Sequence, residues 1–432
     1  MRTERLDWDG RDGAAMARRL RALVAPEQGL AESVAGIIAD VRDRGDEAVR
    51  ELSARYDAVD APPASLRVPD AEIEVAAAAL EPSLREALTL AAANVRAVAT
   101  AELRRPPVDV TLPQGHTVSL KERPVSAAAA YAPGGRAAYP SSVLMCCVPA
   151  AVAGVKRVVV VSPPGADGRP PHPVLAAASI AGADAVYAIG GAQAIAALAL
   201  GTETISRVDV VVGPGNAWVT EAKRQLYGTV GIDGLAGPSE LVVVVGDAAP
   251  IREIALDLLA QAEHGPDTPL VAIGGEAGLD ELESLLVELA GQRDSVTDAA
   301  ISLVGAPSIE DALALSDAIA PEHLELRFAG ADVELAAERT AGCVFVGDAA
   351  AAAFGDYATG SNHVLPTGGA ARFGGPLGPR AFMRRTSVVS IPADAAARLA
   401  PAVDRLAREE GLPVHGESAR AYARKTGDLQ VD

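Results

Sequence analysis

The sequence predicts an α/β protein built from two tandem Rossmann-like doubly wound parallel-sheet domains, with a helical N-terminal arm and a small C-terminal tail domain. Two observations lead to this prediction. Short Val- and Ile-rich runs alternate with helical segments of small residues, which is typical of buried parallel strands joined by helices. Aromatic residues make up only 3% of the 432 residues, so Ala, Val, Leu and Ile must build the core.

The N-terminal segment is expected to be helical, because Met16, Leu20 and Leu23 recur at helical spacing. The Pro106-Pro107 pair separates long helical patterns from short β-rich runs and marks a domain boundary. We predict that the chain divides into a helical arm over 1–25, a first Rossmann-like domain over 26–108 plus 238–379, a second over 109–237, and a tail domain over 380–432.

Charge and cysteine content exclude several classes of protein. The chain has 38 Lys and Arg against 57 Asp and Glu, a net charge of −19 that repels nucleic acid and anionic lipid. Apolar runs stay below the roughly 18 residues of a membrane-spanning helix. Three cysteines, two of them adjacent at Cys146 and Cys147, cannot form a disulfide framework. We therefore expect a cytoplasmic protein that binds neither nucleic acid nor membrane.

A first candidate site contains Gln261 and His264, three residues apart at the predicted end of a helix. Side chains at this spacing share a helix face and can chelate one ion, although a polar helix end has the same pattern. Asp356 lies in a glycine-punctuated loop after a predicted strand, where the carboxyl edge of a sheet is expected. With His415 from the tail, the four would form a mixed nitrogen and oxygen site, more typical of catalytic than of structural zinc.

A second candidate is the Glu322-His323 pair at the mouth of a predicted strand. Such a pair suits proton transfer, because His titrates near neutrality and Glu can activate water, but the dipeptide alone does not establish this role. Glycine-rich segments at 131–135, 190–193 and 213–216 follow β-runs without GxGxxG spacing. Each segment could admit a dinucleotide or simply turn the chain.

The residues alone leave two other functions open. A zinc-dependent hydrolase would use Glu322 to activate a zinc-bound water. A non-catalytic α/β binding protein could hold a structural metal that its fold requires. The tandem Rossmann-like pattern favours a nucleotide cofactor over the hydrolase.

Seven motifs in this order resemble the histidinol dehydrogenase family: YAPGG at Tyr131, GPGNAWVTEAKRQ at Gly213, AGPSE at Ala236, QAEHGPD at Gln261, PEHLEL at Pro321, GDYATGSNHVLPT at Gly355 and EGLPVH at Glu410. The resemblance extends from about Asp40 to His415. It implies oxidation of L-histidinol to L-histidine through the aldehyde, with two NAD reduced, in the last steps of histidine biosynthesis. The first Rossmann-like domain would then hold the zinc and substrate site, the second would bind NAD, and the tail domain would contribute to the site of a partner subunit.

The resemblance also implies roles for individual residues. Glu322 and His323 would be the catalytic pair, with His323 taking the alcohol proton and Glu322 promoting hydration of the aldehyde. One zinc ion per subunit would be bound by Gln261, His264, Asp356 and His415, the last supplied by the partner subunit of a homodimer. Contacts to L-histidinol are implied for Ser239, Gln261, His264, His323, Asp356, His363, Glu410 and His415, and NAD contacts for Tyr131, Gln193 and Asn216.

Overall fold

The structure is a computed structural model that describes residues 1–21, 29–57, 65–104, 108–134, 137–296, 298–347 and 349–424. It confirms the predicted α/β class, with parallel sheets flanked by helices. The chain divides into two compact units. The first comprises Met1–Leu103 and Val125–Phe382, and the second comprises Arg104–Pro124 and Met383–Asp432.

The described residues form fourteen strands and sixteen α-helices. The strands are β1 (Arg2–Asp7), β2 (Val108–Thr111), β3 (Thr117–Pro124), β4 (Ala127–Tyr131), β5 (Arg157–Ser162), β6 (Ala185–Ala188), β7 (Val210–Val212), β8 (Gly231–Ile232), β9 (Leu241–Val245), β10 (Leu270–Gly274), β11 (Ala300–Gly305), β12 (His323–Arg327), β13 (Cys343–Val346) and β14 (Met383–Ser390). The helices are α1 (Gly13–Arg21), α2 (Leu30–Arg44), α3 (Asp46–Tyr56), α4 (Asp70–Ala78), α5 (Pro82–Leu103), α6 (Pro140–Ala153), α7 (His172–Ala181), α8 (Gly191–Leu200), α9 (Ala217–Leu226), α10 (Ile251–Ala262), α11 (Glu276–Ala290), α12 (Ile309–Ile319), α13 (Val333–Ala337), α14 (Ala352–Tyr357), α15 (Ala393–Glu409) and α16 (Pro413–Arg424). In this part of the chain, no helix combines the length and apolar character needed to cross a membrane.

The larger sheet of the first unit has six parallel strands in the order β1-β11-β10-β9-β12-β13. Its strand order reverses between β9 and β12, as in doubly wound sheets. Strands β9 and β10 are apolar runs with every residue buried, because helices cover both faces. Side chains of α10 and α11 form the core on one face, and those of α1 and α12 form it on the other.

The smaller parallel sheet has five strands in the order β6-β5-β4-β7-β8. Its order reverses between β4 and β7. Strand β4 is four alanines followed by Tyr131, all buried, so neighbouring helices can approach this strand closely. The switch point of this sheet therefore lies beside Tyr131, at the carboxyl end of β4.

The predicted helical arm begins with a strand. Strand β1 pairs in parallel with β11 along its whole length, and α1 follows it. The sequence did not indicate this strand because its residues are mostly polar and only Leu6 is buried, as an edge position permits. Leu23, which contributed to the prediction, lies outside the described residues.

Helices α2 to α5 pack differently from the predicted division of the chain, which placed 26–108 with the six-stranded sheet. Val34, Ile37 and Val41 of α2 share one core with Ala129 of β4 in the five-stranded sheet. Helices α4 and α5 contact α7 and α6, which connect strands of that same sheet. The apolar face of α2 was visible in the sequence, but the partner that it covers was not.

The second unit is a three-stranded antiparallel sheet, in the order β14-β3-β2, together with α15 and α16. Residues 108–124 therefore belong to this sheet and not to a parallel Rossmann-like domain, contrary to the predicted range 109–237. The error arose because β3 finds its main partner, β14, more than 250 residues further along the chain. Helices α15 and α16 pack against each other.

Candidate active site

A cavity of about 900 Å³ lies in the first unit, where the two parallel sheets meet. One end is formed at the amino ends of β9 and β12, and the other at the carboxyl ends of β4, β6 and β7. Nine of the predicted site residues line it: Tyr131, Gln193, Asn216, Ser239, His264, Glu322, His323, Asp356 and His363. Predicted catalytic and cofactor residues from distant parts of the chain therefore share one space.

The remaining predicted site residues lie elsewhere or just behind the wall. Gln261, at the end of α10, is hydrogen-bonded to two residues that line the cavity. Glu410 is the C-cap of α15 and His415 lies in the first turn of α16, both in the second unit. All described residues that line the cavity belong to the first unit.

The position of Asp356 differs from the sequence prediction. We expected it at the carboxyl edge of its sheet, yet its Oδ1 lies 3.4 Å from Nε2 of His323, the first residue of β12. Helix α14 follows β13 in the chain and brings Asp356 back to the amino edge. The six-stranded sheet thus presents its amino ends to the cavity, and only the five-stranded sheet follows the usual carboxyl-end rule.

His323 is buried between two carboxylates. Its Nδ1 lies 3.4 Å from Oε2 of Glu322 and 3.1 Å from the main-chain oxygen of Glu240, and its Nε2 faces Asp356. Burial lowers the pKa of His323, but the charge of Glu322 and the hydrogen bond to Asp356 outweigh burial, so the pKa lies well above its ordinary value. The imidazole of His323 can therefore accept and hold a proton.

Asp356 and Gln261 form the core of the predicted metal site. Nε2 of Gln261 donates to Oδ2 of Asp356 at 3.1 Å. Oγ of Ser239 lies 2.7 Å from Oε2 of Glu322 and 3.2 Å from Oε1 of Gln261. Burial raises the pKa of Asp356, but His323, through its hydrogen bond and charge, holds it below its ordinary value. The carboxylate is therefore ionised, as a metal ligand must be.

The donor set suits a metal that accepts nitrogen and oxygen. The first unit contributes an ionised carboxylate, an amide and His264, a combination found at catalytic rather than structural zinc sites. Across the described ranges, no three His, Cys, Asp or Glu side chains are grouped closely enough to hold a metal ion. A fourth donor from outside this group would complete the set.

His363 differs from His323 in its surroundings. Its Nδ1 lies 2.7 Å from the main-chain oxygen of Asp356, and its Nε2 lies 3.1 Å from Oγ of Ser142. A carbonyl oxygen only accepts, so Nδ1 carries the proton and Ser142 donates to Nε2. Burial lowers the pKa of His363, and the imidazole is neutral.

The five-stranded sheet shapes the other end of the cavity. The hydroxyl of Tyr131 accepts a hydrogen bond from the N–H of Gly191 at 3.1 Å, and burial raises the pKa of that hydroxyl. Nε2 of Gln193 lies 3.5 Å from Oδ2 of Asp57, and the rings of Tyr56 and Trp218 have centroids 6.4 Å apart. Amides, a carboxylate and aromatic rings together can bind the ribose and the base of a nucleotide.

A buried ion pair holds the loop at 213–216. Nζ of Lys223 donates to the main-chain oxygen of Gly213 at 2.6 Å and to Oδ1 of Asp233 at 2.7 Å. The N–H of Gly213 donates to Oδ2 of Asp233 at 2.7 Å. Gly213 has a φ of 111°, and a Cβ at this position would collide with the carbonyl of Tyr131. Asn216 ends the loop as the N-cap of α9, accepting from the N–H of Val219 at 3.1 Å.

The cysteines do not supply a nucleophile. Cys146 and Cys147 are fully buried in α6, and burial raises the pKa of Cys147 to about 12 and that of Cys146 well above its ordinary value. Cys343 begins β13, and burial raises its pKa as well. The thiols stay protonated at neutral pH, so proton transfer at the site falls to carboxylates and imidazoles.

Three residues at the site were missed in the sequence. Glu240 immediately precedes β9, and Glu322 immediately precedes β12. In both places the sequence has an acidic residue just before a predicted strand, and this shared pattern could have identified Glu240. Ser142 and Asp57 lay in segments with no polar pattern to single them out. Their positions depend on how α6 and α3 pack in the first unit.

Comparisons with known proteins agree with this geometry. A family model described as histidinol dehydrogenase matches residues 23–423. The chain is 46% identical over 405 residues to a histidinol dehydrogenase of Rhodospirillum rubrum, covering 91% of this chain and 92% of that one. It is 40% identical over 398 residues to one of Methanosarcina barkeri, covering 90% and 91%. The crystal structure of histidinol dehydrogenase from Elizabethkingia anophelis superposes with a TM-score of 0.90 at 28% identity, covering 99% of both chains.

Proposed function

Because the chain belongs to the histidinol dehydrogenase family, which oxidises histidinol in histidine biosynthesis, we propose that its cavity converts L-histidinol to L-histidine with zinc and two molecules of NAD. One observation supports this above the others. His323 lies between two carboxylates at one end of a cavity whose other end is lined by amides, a carboxylate and aromatic rings, groups that suit a nucleotide. A hydrolase would have no use for that second end.

The proposed chemistry has two oxidations. Bound zinc would fix the imidazole and amine of the substrate, and bound NAD would accept hydride from its carbinol carbon. His323 takes the alcohol proton in the first oxidation. Glu322 then takes a proton from the water that adds to the aldehyde, and His323 takes the hydrate proton in the second oxidation. Overall, one alcohol, one water and two NAD⁺ give one carboxylate, two NADH and three protons.

The surroundings of His323 also bear on its proposed role as a base. Glu322 and Asp356 face its ring and raise its pKa. A metal bound by Asp356 would engage part of that negative charge.

We propose that Gln261, His264 and Asp356 bind the zinc together with His415 of a second copy of the chain. Substrate would then contact Ser239, His363 and Glu410, and NAD would contact Tyr131, Gln193 and Asn216. The second unit exposes an unusual number of apolar side chains, which supports a homodimer. These side chains include Val388 and Val389 of β14, Val403 and Leu406 of α15, and Val414 and Tyr422 of α16.

The direct test follows NADH absorbance after L-histidinol and NAD are added to the purified protein, before and after chelation. We expect two NADH per histidinol, loss of activity on chelation, and recovery with zinc. One NADH per histidinol would contradict the proposed role of Glu322 in aldehyde hydration. No NADH would contradict the proposed function and favour the hydrolase.

A further inference from the structure

Glu240 is a buried carboxylate that no step of the proposed reaction uses. Only 6% of its surface is exposed, and it stands immediately before β9. The parallel register of β9 and β12 pairs Leu241 with His323, and this places Glu240 opposite Glu322. Two acids thus precede two adjacent strands at the same edge of the sheet.

Glu240 and Glu322 hold each other through reciprocal hydrogen bonds. The N–H of Glu240 donates to Oε2 of Glu322 at 2.8 Å, and the N–H of Glu322 donates to Oε2 of Glu240 at 3.2 Å. The main-chain oxygen of Glu240 accepts from the N–H of His323 at 3.2 Å and lies 3.1 Å from its Nδ1. A single residue therefore contacts both members of the proposed catalytic pair.

The second carboxylate oxygen of Glu240 is also occupied. Its Oε1 accepts from the N–H of Gly368 at 2.8 Å, and the hydroxyl of the preceding Thr367 accepts from the N–H of Gly237 at 2.5 Å. Burial raises the pKa of Glu240 above its ordinary value, although the N–H of Gly368 and the charge of Arg21 oppose this shift. The side chain is thus held at both oxygens and cannot turn towards the cavity without losing these bonds.

We propose that Glu240 is a positioning residue for histidinol oxidation. Each of its two carboxylate oxygens accepts from a different backbone N–H group. Together these bonds fix the start of β12 and thereby the placement of Glu322 and His323. This inference rests on the proposed roles of that pair. Glutamine cannot replace the carboxylate, because its amide has only one acceptor oxygen. Its NH₂ group would face one of the two backbone N–H groups, and two donors cannot bond to each other.

The test compares the steady-state kinetics of Glu240→Gln with those of Asp46→Asn as a control. Asp46 is a carboxylate of the same unit, equally buried at 5% exposure, which accepts from Thr202 and Thr204. Because displacement of reacting groups by about 1 Å can cost 100-fold in rate, we expect E240Q to lower kcat about 10- to 100-fold with the KM for histidinol little changed. D46N should retain the kcat of the wild type. An E240Q kcat within about twofold of wild type would overturn the inference.

A double-mutant cycle separates positioning from general stability. If Glu240 acts through Glu322, adding E240Q to Glu322→Gln should cost less than about threefold in kcat, whereas independent effects would multiply. The same large factor in both backgrounds would overturn the proposal. If E240Q does not fold, Glu240→Asp replaces it with the same expectation, since the shorter side chain cannot reach both N–H groups. If E322Q alone keeps full turnover, the proposed catalytic pair itself fails.

Discussion

His323 and His363 both line the cavity, but their different surroundings shift their pKa values in opposite directions. His323 faces two carboxylates and has a raised pKa, whereas His363 contacts a carbonyl and a hydroxyl and has a lowered pKa. Both are buried, so burial alone would lower both pKa values. His323 is therefore suited to carry protons, and His363 is suited to offer a neutral ring to the substrate.

Replacing His323 with Asn should lower kcat by about 10²- to 10⁴-fold, the usual loss when a general base is removed. The KM for histidinol should change little, because the residue acts on the transition state. NADH formation under steady-state conditions measures both constants. His172→Asn, at the first position of α7 and outside the cavity, is the control and should keep wild-type kinetics. Wild-type turnover of H323N would exclude the base role.

A second residue-scale prediction concerns the dependence of stability on pH. Burial and the charge of Asp257 raise the pKa of Glu325 to about 7, against an ordinary value of 4.5, while Arg327 opposes the shift. A carboxyl whose pKa is raised by folding stabilises the fold most below its unfolded pKa, and this contribution is lost as pH rises through the folded pKa. The window is therefore pH 4.5 to 7.

Glu325→Gln stays neutral and should not lose stability across that window. We expect its free energy of unfolding, relative to wild type, to rise between pH 5 and pH 7 in urea titrations. Asp109→Asn, an exposed carboxylate of β2, should track the wild type over the same range. A constant difference between E325Q and wild type would contradict the raised pKa.

At the scale of elements, the side chains proposed to react or to bind ligands lie near the ends of strands. The helices and loops that follow the strands fix the distances between these side chains. The loop at 213–216 joins β7 to α9 and is closed by the buried Lys223–Asp233 pair. On the other side of the cavity, α14 returns Asp356 to β12, and Glu325 caps α14 by accepting from the N–H of Ala352 at 3.0 Å. A buried ion pair thus holds the loop at 213–216, and a buried carboxyl group holds the start of α14.

Lys223→Met should destabilise the protein by about 3–5 kcal/mol, because it leaves Asp233 buried without its cation. Both side chains of the pair are at most 8% exposed. Urea unfolding measures the loss. The matched control is Arg224→Met at the adjacent position. It removes an ion pair with Glu221 in which the arginine side chain is 54% exposed, and it should have little effect. Equal small changes in both variants would show that the buried pair contributes little.

At the scale of the whole molecule, the site is built from two sheets that present opposite ends to one cavity. The six-stranded sheet contributes amino ends and the five-stranded sheet contributes carboxyl ends. The proposed zinc site also needs His415, from the second unit of another copy. Assembly of two chains would then be a condition of activity, and mutations in different chains should be able to complement each other.

Mixing H323N with His415→Ala should therefore restore activity. In a heterodimer, one of the two sites would combine an intact His323 from one chain with an intact His415 from the other. Equal amounts are unfolded and refolded together, and NADH formation is compared with that of each variant refolded alone. Activity no higher than the parents would argue for a site within one chain.

The sequence by itself determined the α/β class and the family, and it predicted residues for the site. The apolar runs of buried parallel strands and motifs such as GPGN and PEHLEL are local features of the sequence. They can therefore be recognised without knowing how the elements pack. The sequence also indicated Glu322-His323 and the pairing of Gln261 with His264, since both depend only on short spacing.

Only the tertiary structure decided which elements meet. Strand β1 joins its sheet through β11, β3 pairs with β14, and α2 covers the five-stranded sheet. These partners are far apart in sequence, and an amphipathic pattern shows that a face is buried without showing what covers it. The raised pKa of His323 and the contacts of Glu240 arise from the same long-range packing, because they depend on distances between side chains that the chain order leaves open.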